Sequence, residues 1–178
     1  MRLRNLEIKD APLMHEWMHD KNVVADLKTN FLSKTMDDCL NFIHMSNNDH
    51  GNWHMAIVDE EDSYMGTVSL KNIKEDSAEF GITIRSCAMG KGYALWAMKE
   101  AIRVGFEKMN INKIYWCVSP DNKRAVRFYD KNGFERVSAK ELDMIEGYTQ
   151  DQIDAYVWYV VKKSNRGQDY GISIDYFL

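Results

Sequence analysis

The chain has 178 residues, of which 45% are hydrophobic and only 2 are proline, which excludes a disordered or fibrous protein and fits one well-packed domain. Its formal net charge of −4 argues against a general nucleic-acid binder, because phosphate contacts need a concentrated basic surface. No run approaches the roughly 20 apolar residues of a membrane span. The amino-terminal segment has no apolar core of a secretion signal, so we expect a cytoplasmic protein without membrane or nucleic-acid partners.

Helical and strand-like patterns alternate in the first half of the chain. Residues 2–8 alternate apolar and polar side chains and predict a strand. Asp10, with Pro12 in the first turn, starts a helix that is predicted to end near Asp20. Thr35 can cap a second helix with its hydroxyl group. Three strands of an antiparallel meander are then predicted, at residues 53–59, 64–73 and 78–84.

The second half predicts an α/β crossover. Its longest helix keeps the helical period for about four turns, at Ala94, Leu95, Met98, Ile102 and Phe106. The strand-like run at Lys113–Val118 reads as buried on both faces, and residues 124–131 form a further helix. The last strands are predicted at residues 134–139 and 155–161. A strand, a long helix and a second strand in this order indicate a crossover within an otherwise antiparallel sheet.

Two glycines, Gly90 and Gly92, separate the third meander strand from the long helix. Glycine lets the backbone approach a ligand closely, and the free N–H groups of a helix N-terminus favour an anion. The segment therefore predicts a site for a phosphate or pyrophosphate group. A simple strand-to-helix turn with a surface lysine, Lys91, is an equal alternative for the loop by itself. The spacing matches neither the Walker loop nor the GxGxxG loop of dinucleotide folds.

A second motif follows the next strand. In SPDNKRAVRFYDKNGF, Asn122 opens a helix, and Tyr129 precedes Gly133 and Phe134 by a short interval. With both motifs in this order, the chain resembles the GNAT acetyltransferases over nearly its whole length. The resemblance is to the branch that contains ribosomal-protein N-terminal, spermidine and amino-sugar acetyltransferases.

The resemblance implies a fold of the α/β (α+β) class. It implies a mixed, mostly antiparallel, twisted sheet of about seven strands with helices on both faces. Residues 1–163 would form this domain. Residues 164–178 would extend it at the C-terminus, as an extra strand or an oligomer contact.

The resemblance also implies acetyl-CoA as the cosubstrate. The acyl-CoA loop of the family aligns with Met89, Gly90, Lys91, Gly92, Tyr93 and Ala94. Met89 replaces the usual Gln or Arg, but this position acts largely through its backbone N–H, so we expect binding to survive with charge from Arg85 or Lys91. The pantetheine arm is expected beside Asn122 and along Thr83, Ile84 and Arg85. The strand of these three residues could also supply an N–H to polarise the carbonyl group.

Acetyl transfer to an amine needs an unprotonated amine, a stabilised oxyanion and a proton for the departing thiolate. Tyr129 is the candidate general acid, because a phenol with a pKa of about 10 stays protonated at neutral pH. Helix packing is the alternative for Tyr129, and a helix cap is the alternative for Asn122. Glu79 is the first candidate for the base, with Asp143 and Glu141 as further candidates, and a solvated strand-end carboxylate is its structural alternative. A direct ternary complex is expected, because the cysteines show no base partner in the sequence.

One competing motif is present. HEWMH, from His15 to His19, matches the HExxH pattern of zinc peptidases. The predicted helix is short and no suitable third ligand follows it, so two surface histidines are favoured and no metal site is predicted. His54, like His44 and His50, is interpreted as incidental.

The acceptor is predicted to be a small amine, with an amino-sugar nucleotide favoured over a polyamine or a protein N-terminus. The segment EWMHDKNVVADLKTNF loosely resembles the amino-sugar enzymes. By the same resemblance, Trp17 and Phe31 belong to helices that form one wall of the acceptor site, although helix packing would also explain them. A monomer or homodimer is expected. The alternative of another class is a CoA-binding protein without catalytic activity.

Overall fold

A seven-stranded mixed sheet organises the chain in the computed structural model, which describes residues 1–49, 51–142 and 145–163. The strands are β1 (Arg2–Arg4), β2 (Trp53–Val58), β3 (Tyr64–Lys74), β4 (Ser77–Ile84), β5 (Lys113–Val118), β6 (Glu135–Val137) and β7 (Val157–Lys162). Their order in the sheet is β1-β2-β3-β4-β5-β7-β6, and only β4 and β5 are parallel. The predicted mixed, mostly antiparallel sheet of seven strands is confirmed.

Six α-helices occur in the described part of the chain. They are α1 (Ala11–Met18), α2 (Lys21–Val24), α3 (Met36–Ser46), α4 (Tyr93–Lys108), α5 (Lys123–Lys131) and α6 (Gln150–Ala155). The predicted cap of α3 is confirmed, because Thr35 Oγ1 accepts the N–H of Asp38 at 3.2 Å and the Asp38 carboxylate accepts the N–H of Thr35. The strand predicted at residues 155–161 begins two residues later, at Val157. Ala155 is instead the last residue of α6, which Thr149 caps at its start.

The helices cover both faces of the sheet. Along β2, Ile57 points toward α4 and α5, whereas Ala56 and Val58 point toward α1, α2 and α3, as the alternation of a strand requires. On the first face, Gly105 lets α4 lie close to the sheet, since a Cβ there would stand 2.9 Å from Ile114 Cδ1. Each large apolar side chain that these layers bury contributes about 1.5–3 kcal/mol. No helix in the described ranges is both long and apolar enough to cross a membrane.

The parallel pair β4–β5 is joined over a short distance only. The two strands pair from Ser77 with Lys113 to Glu79 with Tyr115, and no further pairing follows. The other edge of β4 stays paired with β3 as far as Ile84. The sheet is therefore continuous on one side of β4 and open on the other, and this opening positions the site.

Candidate active site

The gap between β4 and β5 contains a cavity of about 200 Å³, the β4–β5 cleft. It is lined by Phe80, Gly81 and Ile82 of β4, by Trp116, Cys117 and Val118 of β5, and by Asn122, Ala125 and Tyr129. The N–H of Arg85 bonds to the carbonyl of Met65 on β3 at 2.9 Å. Because alternate residues of an antiparallel strand bond to the same neighbour, Ile82 and Ile84 direct their N–H and C=O groups into the gap. An extended ligand can pair with these groups.

The glycine loop leads from this cleft into α4. Gly90 and Gly92 have φ angles of 74° and 86°, in the left-handed region that favours glycine. Trp96 is the first residue to bond back into the helix, to Gly92 O at 3.1 Å, so the amides of residues 93–95 have no helical acceptor. No atom lies within 4 Å of a Cβ built at either glycine. The N-terminus of α4 is therefore open to an anion, as the sequence predicts.

The side chain of Arg85 lies against α1 and not at the glycine loop. It binds both carboxylate oxygens of Glu16, at 2.9 and 3.1 Å, and donates a further hydrogen bond to the carbonyl of Tyr64 at 2.9 Å. This forked pair fastens α1 to the end of β4. Contrary to expectation, the Arg85 side chain therefore does not supply charge at the glycine loop.

The backbone amide of Met89 is not free at the loop. Its N–H donates to Ser86 O at 3.2 Å, so the amide expected to bind pyrophosphate is already engaged in a turn.

Other cations lie near the loop. Arg124 of α5, which is not among the motif positions aligned with the family, lies with Nη1 3.1 Å from the Met89 sulfur. Arg124 also donates to the carbonyl of Asn22, which fixes its direction. Arg124 and the exposed Lys91 therefore supply the positive charge on this side.

Tyr129 and Asn122 face the cleft from α5. The Tyr129 ring packs against Trp116 and Tyr159, with centroid distances of 5.2 and 5.1 Å, and only 6% of the residue is exposed. Its hydroxyl has no hydrogen-bond partner among residues 1–49, 51–142 and 145–163. Burial raises the pKa of Tyr129, so the phenol stays protonated at neutral pH. Asn122 caps α5 by accepting the N–H of Ala125 at 3.0 Å, which leaves its amide nitrogen for a ligand.

Glu79 is buried at the point where β4 and β5 separate. Its carboxylate accepts hydrogen bonds from Lys71 Nζ at 2.8 Å, Asn72 Nδ2 at 3.1 Å and the Tyr148 hydroxyl at 2.8 Å. The group is therefore not a solvated strand-end carboxylate, and both of its oxygens are engaged. Tyr148 could not be linked to Glu79 from the sequence, because 69 positions separate them.

The other candidates for acid–base and nucleophilic chemistry are placed differently. Glu141 is exposed and caps a short turn by accepting the N–H of Ser138 at 3.1 Å. Asp143 lies outside the described residues, as do residues 164–178. Burial raises the pKa of Cys117 to about 11, so this thiol stays protonated at neutral pH and is a poor nucleophile.

A second cavity of about 300 Å³, the α1–α3 cavity, lies between the sheet and the first helices. Trp17 and Phe31 form part of its wall, and their rings meet edge to face at 5.0 Å. The indole of Trp17 is fixed by a hydrogen bond to the Tyr64 hydroxyl at 3.1 Å. Three residues line both cavities: Lys71, Gly81 and Ile82. The two spaces therefore meet across β4.

Three charged side chains and one imidazole set the electrostatics of the α1–α3 cavity. Lys34 and Lys71 carry positive charge, and Asp38 is the carboxylate among the residues that line it. His54 also lines it, with Nδ1 2.7 Å from Ser69 Oγ, although the sequence suggested an incidental histidine. Burial lowers the pKa of His54 below its ordinary value, so the imidazole is neutral at neutral pH.

The HEWMH motif does not form a metal centre in the described residues. His15 and His19 stack with ring centroids 4.2 Å apart, and His19 Nδ1 bonds to the carbonyl of His15. Glu16, which would activate water in a peptidase, is paired with Arg85. Across residues 1–49, 51–142 and 145–163, no group of three or more potential ligands lies close enough to hold a metal ion.

Comparisons with known proteins agree with this geometry. A family model described as acetyltransferase (GNAT) domain matches residues 1–135. A spermidine N(1)-acetyltransferase of Vibrio cholerae is 28% identical over 160 residues, which is 88% of this chain and 92% of the relative. The acetyltransferase PseH of Campylobacter jejuni is 25% identical over 137 residues, 75% of this chain and 84% of the relative.

A solved structure supports the fold. The spermidine N-acetyltransferase from Vibrio cholerae in complex with CoA and spermine superposes with a TM-score of 0.73 at 23% identity. The match covers 90% of this chain and 94% of that one.

Proposed function

Because the chain belongs to the GNAT acetyltransferase family and is an acetyl-CoA-dependent N-acetyltransferase, we propose that its acceptor is a small amine with negative charge. An amino-sugar nucleotide is the first choice. A polyamine and a protein N-terminus are the alternatives. A spermidine acetyltransferase and the acetyltransferase PseH are both among the similar proteins, at comparable identity, so the choice depends on the residues of the α1–α3 cavity.

The charge balance of the α1–α3 cavity carries the proposal. Two ammonium groups, Lys34 and Lys71, line this space against the single carboxylate of Asp38, while Lys71 Nζ also donates a hydrogen bond to Glu79 of the neighbouring cleft at 2.8 Å. That carboxylate is already bonded to Thr35 in the cap of α3 and lies 3.7 Å from Lys34. A polyamine carries several positive charges and would need several free carboxylates, because like charges repel. A diphosphate group complements the two lysines.

Aromatic walls support the same choice. Trp17, Phe31 and Phe42 are the aromatic residues that line the cavity. A sugar ring or a nucleobase can stack on the face of an aromatic ring. Lys34 is 41% exposed, so a diphosphate beside it would reach solvent while the amino sugar occupies the cavity. This pose directs the amine toward Gly81, where the cavity meets the β4–β5 cleft.

Acetyl-CoA fits the other side of β4. We propose that the amides of residues 93–95 and Arg124 hold its pyrophosphate, and that Asn122 and the free backbone groups of Ile82 and Ile84 hold its pantetheine arm. The bound thioester supplies an activated acetyl group. Tyr129 is proposed to protonate the departing sulfur, because its phenol is buried, protonated and without another partner in the described residues.

Glu79 stays a prediction as the base. Its three hydrogen bonds favour a role in fixing Lys71 and Tyr148 over a role in accepting the proton of the amine.

The substrate proposal is tested by thiol release from acetyl-CoA with a UDP-4-amino sugar, spermidine and an N-terminal peptide as acceptors. We expect kcat/KM for the sugar nucleotide to exceed that for spermidine by at least about tenfold, a difference of about 1.4 kcal/mol. Lys34→Glu should reduce this preference by reversing a charge in the cavity. Lys140→Glu makes the same change at an exposed position outside both cavities and should leave the preference unaltered. Faster turnover of spermidine by the unaltered enzyme would overturn the proposed acceptor.

A further inference from the structure

A row of paired residues crosses the floor of the α1–α3 cavity. His54 on β2 pairs with Ser69 on β3, and Ser69 pairs with Gly81 on β4. Directly paired residues point to the same face of a sheet, so the two side chains lie on one line toward Gly81. The line is hydrogen-bonded, because His54 Nδ1 lies 2.7 Å from Ser69 Oγ. It ends at the strand where the cavity and the β4–β5 cleft meet.

The surroundings of His54 fix its ring and its charge state. The Phe42 ring packs edge-on against the imidazole, with centroids 5.0 Å apart. Burial lowers the pKa of His54, Lys71 lowers it further, and Asp49 raises it. Lys34 and Asp38 also line the same cavity, on the side of α3. A neutral imidazole in this position can accept a proton.

Other polar groups in or beside the cavity are less suited to accept that proton. The Tyr64 hydroxyl lies 2.6 Å from Thr67 Oγ1, and burial raises the pKa of Tyr64, so both are protonated hydroxyl groups. Asp38 is engaged in the cap of α3. Both carboxylate oxygens of Glu79 are engaged as well.

We propose that Ser69 and His54 form a proton relay that takes the proton lost by the acceptor amine during acetyl transfer. The amine enters as the free base, after its ammonium proton has gone to solvent. As the amine nitrogen bonds to the thioester carbonyl carbon and the carbon–sulfur bond breaks, the nitrogen gives a proton to Ser69 Oγ. Ser69 gives its own hydroxyl proton to Nδ1 of His54, which starts with its proton on Nε2. Tyr129 supplies the proton that the sulfur receives. Solvent then takes the proton from His54 and restores that of Tyr129, so no net charge accumulates.

The proposal rests on acetyl transfer to a small amine, and the experiment separates the two. Wild type, His54→Gln, Ser69→Ala and the double variant are compared with the best amine of the acceptor screen. Gln is close in size to His but does not accept the proton, so kcat should fall by roughly 10²–10⁴-fold. The double variant should be no slower than His54→Gln, because both side chains act on the same proton. His44→Gln changes an exposed histidine of α3 and should retain full activity.

Chemical rescue separates a proton acceptor from a packing residue. Free imidazole should restore part of the kcat of His54→Ala, whereas sodium chloride at the same ionic strength should not. Acetyl-CoA affinity and the urea midpoint of each variant show whether the fold is retained. Retained kcat in His54→Gln, or multiplicative losses in the double variant, would overturn the relay. Absence of turnover by the wild type with every amine would instead count against the proposed function.

Discussion

Two substitutions at Gly92, to Ala and to Glu, are expected to rank in opposite order for stability and for acetyl-CoA affinity. In Gly92→Ala the new Cβ meets no atom within 4 Å, so the cost is conformational. A residue with a Cβ in the left-handed region, here at φ 86°, costs about 1–2 kcal/mol. Gly92→Glu has the same cost, but its carboxylate lies at the N-terminus of α4 and regains about 0.3–1 kcal/mol from the helix dipole. Gly92→Glu should therefore unfold at a slightly higher urea concentration than Gly92→Ala.

Acetyl-CoA binding should follow the reverse order. A carboxylate about 4 Å from a phosphate charge costs about 1 kcal/mol even in bulk water, and two phosphate charges double this cost to about 2 kcal/mol. Affinity in Gly92→Glu should therefore be at least about 30-fold lower than in Gly92→Ala. Calorimetric titration with acetyl-CoA measures both constants, and urea unfolding gives the stabilities. Equal acetyl-CoA affinity in the two variants would refute an anion site at the glycine loop.

Two further predictions concern the groups around the cleft. Tyr129→Phe should lower kcat by roughly 10²–10⁴-fold with little change in acetyl-CoA affinity. Tyr159→Phe is the control, because it removes a buried hydroxyl that is bonded to Asp130 at 3.0 Å. This control should keep kcat and lose about 1 kcal/mol of stability. Steady-state kinetics with urea unfolding checks both, and full kcat in Tyr129→Phe at every pH would exclude the proton-donor role. Glu79→Gln should cost about 1–3 kcal/mol of unfolding free energy. This is less than the cost of breaking a fully buried ion pair, because the Lys71 side chain is 37% exposed. It should lower kcat less than His54→Gln does, and the opposite ranking in the same assay would identify Glu79 as the base.

The fold and the glycine loop could be predicted because their signals are local. The helical period of α4, the cap at Thr35 and the two glycines at positive φ each depend on residues a few positions apart. Two short helices were missed. α2 has four residues and α6 has six, too few to establish a period.

The contacts that define the site could not be predicted, because they depend on pairing between distant segments. Arg85 was assigned to the phosphate loop from its position beside it, yet Glu16, 69 residues earlier, holds it against α1. His54 gains significance only from the register that sets Ser69 opposite it. A one-residue slip in that register would move the imidazole to the other face of the sheet.

The proposed site divides the reaction between backbone and side chains. On the β5 side of β4, the groups that we propose for acetyl-CoA are mostly N–H and C=O groups, which any sequence with this splayed strand supplies. On the other side, Lys34, Asp38, Trp17 and Phe31 come from α1, α3 and their connection, where substitutions leave the sheet intact. Lys71 lies across Gly81, since a Cβ there would stand 3.2 Å from Lys71 Cε, so a larger residue at this position would displace the lysine side chain. We therefore expect donor recognition to follow from the fold and acceptor choice to follow from a few helix residues.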